Sequence, residues 1–175
     1  MRKIKIIILL IFISIFLTGC CGNFVCGLEK FVLPDDTEFI QLIAELDTPS
    51  KIGSYMWQNF VYEYHPYGLL TPYQLYKKKK GDCNDFSHFA TYMAYCNGYE
   101  VYQIRIKYKD GGVNHWLGIY KEGQYYTFSS NNFYYITRFL NFKDIVNYHS
   151  YIASRVWREY EVYDYQSDII EVESN

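Results

Sequence analysis

Between Phe86 and Lys107 the apolar residues change their period, and this change limits the folds open to the chain. Phe86, Phe89, Ala90, Met93 and Ala94 recur at i, i+3, i+4, i+7 and i+8, which predicts a buried helix closed by Asn97-Gly98. Tyr102, Ile104 and Ile106 then alternate with Gln103, Arg105 and Lys107, which predicts a strand, and Asp110-Gly111-Gly112 turns the chain. Helical patterning dominates before this point and strand patterning after it.

Upstream, Asp35 and Asp36 precede Phe39, Ile40, Leu42, Ile43 and Leu46, a helical set with acids at its start. Thr48-Pro49 and Thr71-Pro72 each supply a cap and a first-turn proline. The first predicts a helix through Met56, Trp57, Phe60 and Val61 to near His65-Pro66, and the second a short helix that Gly81 ends. Downstream, His115 to Tyr120 and Gln124 to Phe128 read as strands joined at Glu122-Gly123, Phe142 to Tyr148 as a short helix, and Arg155 to Tyr163 as a fourth strand. Helices first and an antiparallel sheet second make an α+β domain.

The amino terminus has a different character. Arg2, Lys3 and Lys5 precede a twelve-residue, almost wholly apolar run from Ile6 to Leu17, the pattern of a signal segment. Twelve helical residues rise only about 18 Å, short of a hydrocarbon core of roughly 30 Å. Leu17-Thr18-Gly19-Cys20 resembles the lipobox of bacterial lipoproteins, which implies cleavage before Cys20 and lipid attachment to it. The expected organisation is a signal peptide over 1–19, a tether over 20–34 containing Cys21 and Cys26, and one domain over 35–175. The expected location is extracytoplasmic, anchored to a bacterial membrane by the lipid. Without the first 19 residues and their three cations, the chain carries 14 basic against 19 acidic side chains, so its body has no large basic patch to hold an anionic leaflet. The full-length formal charge of −2 likewise gives no reason to expect nucleic acid as a partner. Five irregularly spaced cysteines and four histidines form no zinc pattern, so neither a metal nor a cofactor is expected.

Asp82-Cys83-Asn84-Asp85 places a cysteine in the first turn of the buried helix, where unpaired N–H groups and the helix dipole favour a thiolate and offer donors to an oxyanion. Asp82 reads as a cap and Asp85 as a first-turn acid. A thiol nucleophile needs a base, and His115, opening a strand after the Gly111-Gly112 turn, is the best placed of the histidines. His65 precedes a proline, His88 points about 140° away from Cys83 around their shared helix, and His149 follows in a polar stretch.

Lys80-Gly81-Asp82-Cys83-Asn84-Asp85-Phe86, Gly98-Tyr99 and His115-Trp116 together resemble the bacterial transglutaminase-like superfamily, over roughly Thr48 to Ser130. The resemblance implies a papain-like Cys-His-Asp core on N-terminal helices packed against an antiparallel sheet, with Cys83 as nucleophile and His115, 32 positions on, as base. The usual aspartate is missing from Thr127-Phe128-Ser129-Ser130-Asn131-Asn132. A turn at Glu122-Gly123 would set His115 opposite position 130, and one bulged residue would shift the partner to 129 or 131. Asn131 is the favoured third residue, since its amide oxygen would hold the imidazole tautomer, with Ser129 as the alternative.

The function this implies is a cysteine hydrolase or acyl transferase acting on a peptide or protein substrate through a thioester. The alternative is a catalytically degenerate module of the same fold that binds an envelope peptide or protein. A weaker reading, a cell-wall peptidase of another papain-like lineage, rests on His115-Trp116-Leu117-Gly118-Ile119-Tyr120, but Asn84-Asp85 fits it poorly. The physiological substrate and oligomeric state are not legible.

Overall fold

The computed structural model describes residues 34–66 and 68–175. The signal segment, Cys20, Cys21, Cys26 and all of the expected tether but Pro34 lie outside the described residues.

Asp36 caps α1 (Thr37–Glu45) by accepting the Phe39 N–H, and Thr48 caps α2 (Pro49–Asn59) through the Lys51 N–H. Helix α2 ends sooner than its apolar spacing predicts. Phe60 turns extended and Val61–Tyr62 forms β1, with Trp57 and Val61 facing solvent, so those two residues never belonged to a buried stripe. Thr71 caps α3 (Pro72–Lys78), whose end is set by Lys79 in the left-handed region at φ 60° rather than by Gly81. Gly81 instead belongs to β2 (Lys80–Gly81), parallel to β1. Helix α4 (Cys83–Cys96) follows, then β3 (Glu100–Tyr108), β4 (His115–Glu122), β5 (Tyr125–Ser130), β6 (Phe133–Phe139), α5 (Phe142–Ile152), β7 (Trp157–Tyr163) and β8 (Ile169–Ser174).

The last six strands form one antiparallel sheet in the order β6-β5-β4-β3-β7-β8, two strands more than the sequence pattern predicts. The α+β class and the packing of helices on an antiparallel sheet are as expected.

Both faces of the sheet are covered. Val101 and Tyr120 join Phe86, Phe89, Ala90 and Met93 of α4 in one core, while Ile104, Ile106, Leu117, Ile119 and Phe128 join Ile145 and Val146 of α5 in the other. Strand alternation sorts the two sets. Each fully buried Phe or Met contributes about 1.5–3 kcal/mol relative to exposure, so α4, buried from Asp85 to Ala94, is held firmly with its first turn at the end of β4.

Candidate active site

The first turn of α4 is locked by a carboxylate. Asp82 Oδ1 accepts the N–H groups of Asn84 and Asp85 at 2.9 and 3.3 Å, and Asp85 Oδ2 accepts the Asp82 N–H at 2.9 Å. Asp85, 1% exposed, also accepts the Leu70 N–H at 2.8 Å and contacts His65 Nε2 at 2.5 Å. The loop before α3, the strand pair and the helix start are thus tied to one side chain.

Cys83 is a free thiol, buried in the first turn. Its sulfur donates to the Asn114 carbonyl at 3.9 Å and receives the N–H of Trp116, with the N–H groups of Asn84 and Cys83 itself also directed at it. Burial pushes the thiol up to about 11. The Asp82 charge adds to this, and the three N–H groups oppose it without winning. The helix start therefore does not yield a resting thiolate: burial outweighs the N–H groups directed at the sulfur.

Asn114 and Trp116 flank His115. In a strand, the C=O of one residue and the N–H two residues on point to the same lateral side. On β4 that side is the one taken by β5, which ends at Ser130 opposite Leu117. The sulfur therefore occupies the strand edge just past the end of β5. His115 leaves β4 on the α5 face, with Leu117 and Ile119, and Ser130 is the residue that meets it: His115 Nε2 lies 2.8 Å from Ser130 Oγ. Cys83 and the His115–Ser130 pair thus lie at the same end of the sheet, the sulfur bonded to the backbone on either side of His115, and the nitrogen of His115 not engaged by Ser130 is Nδ1.

The third residue differs from the expectation, and the turn explains why. Gly123, at φ 68°, and Gln124 form the loop, so Glu122 pairs with Tyr125 and the register lies two positions from one built on Glu122-Gly123. Ser130 reaches His115 diagonally. Ser129 points to the opposite face, where its Oγ lies 2.9 Å from the Tyr120 hydroxyl. Asn131 enters the left-handed region at φ 50°, and its Oδ1 is buried without a hydrogen-bond partner. Neither Asn131 nor Ser129 holds the imidazole.

A second histidine completes the cluster. His149 of α5 stacks on His115, with centroids 4.7 Å apart and planes 11° from parallel. Its Nε2 lies 3.1 Å from Ser130 Oγ, and its Nδ1 3.2 Å from the Tyr108 hydroxyl. Burial pushes His115 down to about 3, with His149 and Arg155 adding to the shift, and burial and Arg155 push His149 down to about 4. Both rings are neutral at pH 7. The signal for His149 was present in the sequence: Phe142, Ile145, Val146 and His149 fall at i, i+3, i+4 and i+7, which puts the histidine on the buried stripe of α5.

A cleft of about 330 Å³ opens over Cys83 between Tyr64, Leu69, Val113 and Trp116, with Asp82, Asn84 and Asn114 as polar lining. His65, Asp82 and Asp85 present ligand atoms within 4.8 Å of one another. Their facing atoms are engaged in the hydrogen bonds just described, the chemistry of a structural lock rather than of a cation cage.

Comparison with protein-family models and with curated proteins gives no match. Among solved structures, the chain is similar to Legionella pneumophila LapG, with a TM-score of 0.51 and 13% identity over 77% of this chain and 78% of that one. A chain described as a candidate cysteine protease from Cytophaga hutchinsonii aligns with a TM-score of 0.47 and 9% identity over 91% of this chain and 57% of that one. The likeness to LapG is one of fold, helices packed on an antiparallel sheet.

Proposed function

We infer that this protein is a cysteine hydrolase or acyl transferase, lipid-anchored outside the cytoplasm, that cleaves or transfers a peptide or carboxamide acyl group. The observation that carries the reading is the convergence of Cys83, the backbone on both sides of His115, and the His115–Ser130 hydrogen bond at one end of the sheet. In this mechanism the resting pair is neutral. As Cys83 attacks a carbonyl held in the cleft, its proton passes to His115 Nδ1, and the Cys83 N–H, the one in the first turn of α4 not taken by Asp82, serves the developing oxyanion. His115 then protonates the leaving amine, and water or an acceptor amine resolves the thioester. Hydrolysis needs no acceptor beyond water. The apolar walls of Tyr64, Leu69, Val113 and Trp116 suit an extended peptide. Anchoring rests on the sequence Leu17-Thr18-Gly19-Cys20 alone.

A degenerate binding module is the second reading, favoured by the absence of a carboxylate on His115 among the described residues and by the high thiol. Intact-mass measurement with a peptidyl acyloxymethyl ketone separates the two. The enzyme reading expects an adduct on Cys83, abolished in Cys83→Ala and formed about 10²-fold more slowly in His115→Ala. Equal labelling of His115→Ala and the wild type overturns the catalytic role of His115 and leaves the binding module. Palmitate incorporation lost in Cys20→Ala tests the anchor, and unchanged incorporation refutes it.

A further inference from the structure

Four side chains from four different elements form a continuous buried hydrogen-bonded chain at the end of the sheet: His115 of β4, Ser130 of β5, His149 of α5 and Tyr108 of β3, with separations of 2.8, 3.1 and 3.2 Å. We propose that His149 is a positioning residue for Cys83 chemistry, and that the relay His115–Ser130–His149–Tyr108 does the work a carboxylate does elsewhere. The inference rests on the proposed function, in which His115 is the base.

The donor and acceptor inventory allows the chain to run in either direction, and the role of His115 as base selects one. For His115 Nδ1 to accept the thiol proton it must be unprotonated, so the ring proton sits on Nε2 and is donated to Ser130 Oγ. Ser130 has one proton, and it goes to His149 Nε2. His149 then carries its own proton on Nδ1 and donates it to the Tyr108 oxygen. With that start, each member leaves the next a single arrangement, and the base-competent tautomer of His115 is fully hydrogen-bonded without an anion.

The same chain provides a place for charge. When the S–H bond breaks and the proton binds His115 Nδ1, the Nε2 proton shifts to Ser130 Oγ as the Ser130 hydroxyl proton moves to His149 Nε2. The imidazolium is then His149. Nothing is lost or gained, and the two shifts reverse when the leaving amine takes the Nδ1 proton. The stacked rings, 4.7 Å apart, share this single charge. The charged and titratable groups facing His149 are Tyr108 from β3, His115 from β4, and Arg155 from the turn after α5. The Arg155 guanidinium lies 3.7 Å from the Tyr108 ring centroid and is paired with Asp110 at 2.6 Å. Burial and Arg155 disfavour charge on both rings.

The test uses the full chain and two independent readouts. Imidazole ¹⁵N shifts report the tautomer directly: the relay expects His115 as the Nε2–H form in the wild type and as a mixture in Ser130→Ala and His149→Phe. Labelling of Cys83 by the peptidyl ketone across pH 5–9 reports the chemistry. His149→Phe is expected to slow it about 10²-fold, while His149→Gln, which accepts the Ser130 proton but cannot become cationic, keeps the His115 tautomer yet still loses rate. Ser130→Asp placed on His149→Phe is expected to recover the rate, because a carboxylate then meets His115 directly; a merely structural role for His149 gives no such rescue. Unchanged labelling and unchanged ¹⁵N shifts in His149→Phe overturn the relay while leaving the enzyme reading intact. Labelling independent of His115 overturns the enzyme reading, and the ¹⁵N shifts then decide whether the relay exists. Should His149→Phe fail to fold, Ser130→Ala carries the tautomer comparison and His149→Gln the rate comparison, and unchanged ¹⁵N shifts in the first with an unchanged rate in the second overturn the relay.

Discussion

Asp85 Oδ2 fills the space that a β-carbon on Gly81 would need: such a carbon would lie 2.7 Å from it and 2.8 Å from Leu75 Cδ1. The glycine of the Gly-Asp-Cys-x-Asp motif is there so that a carboxylate can approach the backbone, and the carboxylate is there to hold the loop and helix start together. Gly81→Ala is expected to cost about 1–3 kcal/mol, the range of an overpacked site. Asp85→Asn turns an acceptor into a donor against the Asp82 N–H or His65, with an expected loss of about 2–4 kcal/mol. Urea unfolding of both variants checks this. Midpoints within error of the wild type would show that the motif does not bear on stability.

A thiol pushed up to about 11 by burial has a defined pH profile. Alkylation of Cys83 by iodoacetamide, followed by peptide mass mapping, is expected to be slow at pH 7 and to keep rising past pH 9 with no plateau near the ordinary thiol value of 8.5. Asp82→Asn retains a capping side chain while removing the nearest anion, so it is expected to shift the profile to lower pH. A plateau below pH 8 in the wild type would contradict the neutral resting pair.

Ser129 and Ser130 are adjacent but face opposite sides of the sheet, so they have separable effects. Ser129→Ala removes the partner of the fully buried Tyr120 hydroxyl and is expected to cost about 1–3 kcal/mol without altering the rate of Cys83 acylation. Ser130→Ala is expected to slow acylation. Chemical denaturation and ketone labelling on the same two variants check the assignment, and a loss of labelling in Ser129→Ala alone would reverse it.

Much of this architecture was legible because local signals and tertiary packing agree. The helix starts at Thr48-Pro49 and Thr71-Pro72 lie where capping chemistry puts them, and the stripe from Phe86 to Ala94 and the alternation in β3 bury the side their spacing points to. Strand β6 was not legible: Phe-Tyr-Tyr-Ile-Thr-Arg-Phe does not alternate, and as an edge strand it exposes Phe133 and Ile136. Strand β8 is also an edge, with Ile169, Ile170 and Val172 in solvent, so its apolar residues mark no buried face. At the site, the cysteine and the loop geometry of Asp82 and Asp85 followed from capping chemistry. Ser130 did not, because a two-position shift in where the hairpin turns changes which residue is diagonal to His115, and neither Gly123 nor its neighbours announce that shift. His149 was hidden for another reason: its polarity outweighed a helical spacing that placed it inside.

Three histidines, His88 and His149 buried and His115 part-buried, make the protein acid-sensitive. Burial holds His88 down to about 4, His115 to about 3 and His149 to about 4, against 6.5 for an ordinary imidazole. Between those limits the unfolded chain binds protons that the folded chain does not, so the stability these residues allow is full above pH 6.5 and is lost as pH falls toward 4. Each contributes at most about 1.4 kcal/mol per pH unit in that window. Asp110, held to about 2 by Arg155, titrates below it and does not mask the effect. Urea midpoints measured from pH 7.5 to 5 are expected to hold to about pH 6.5 and then fall, and His149→Gln, which removes one of the three titrations, is expected to reduce the slope of the fall by about a third. A flat midpoint across this range would mean that these imidazoles titrate in the folded protein as they do in the unfolded chain.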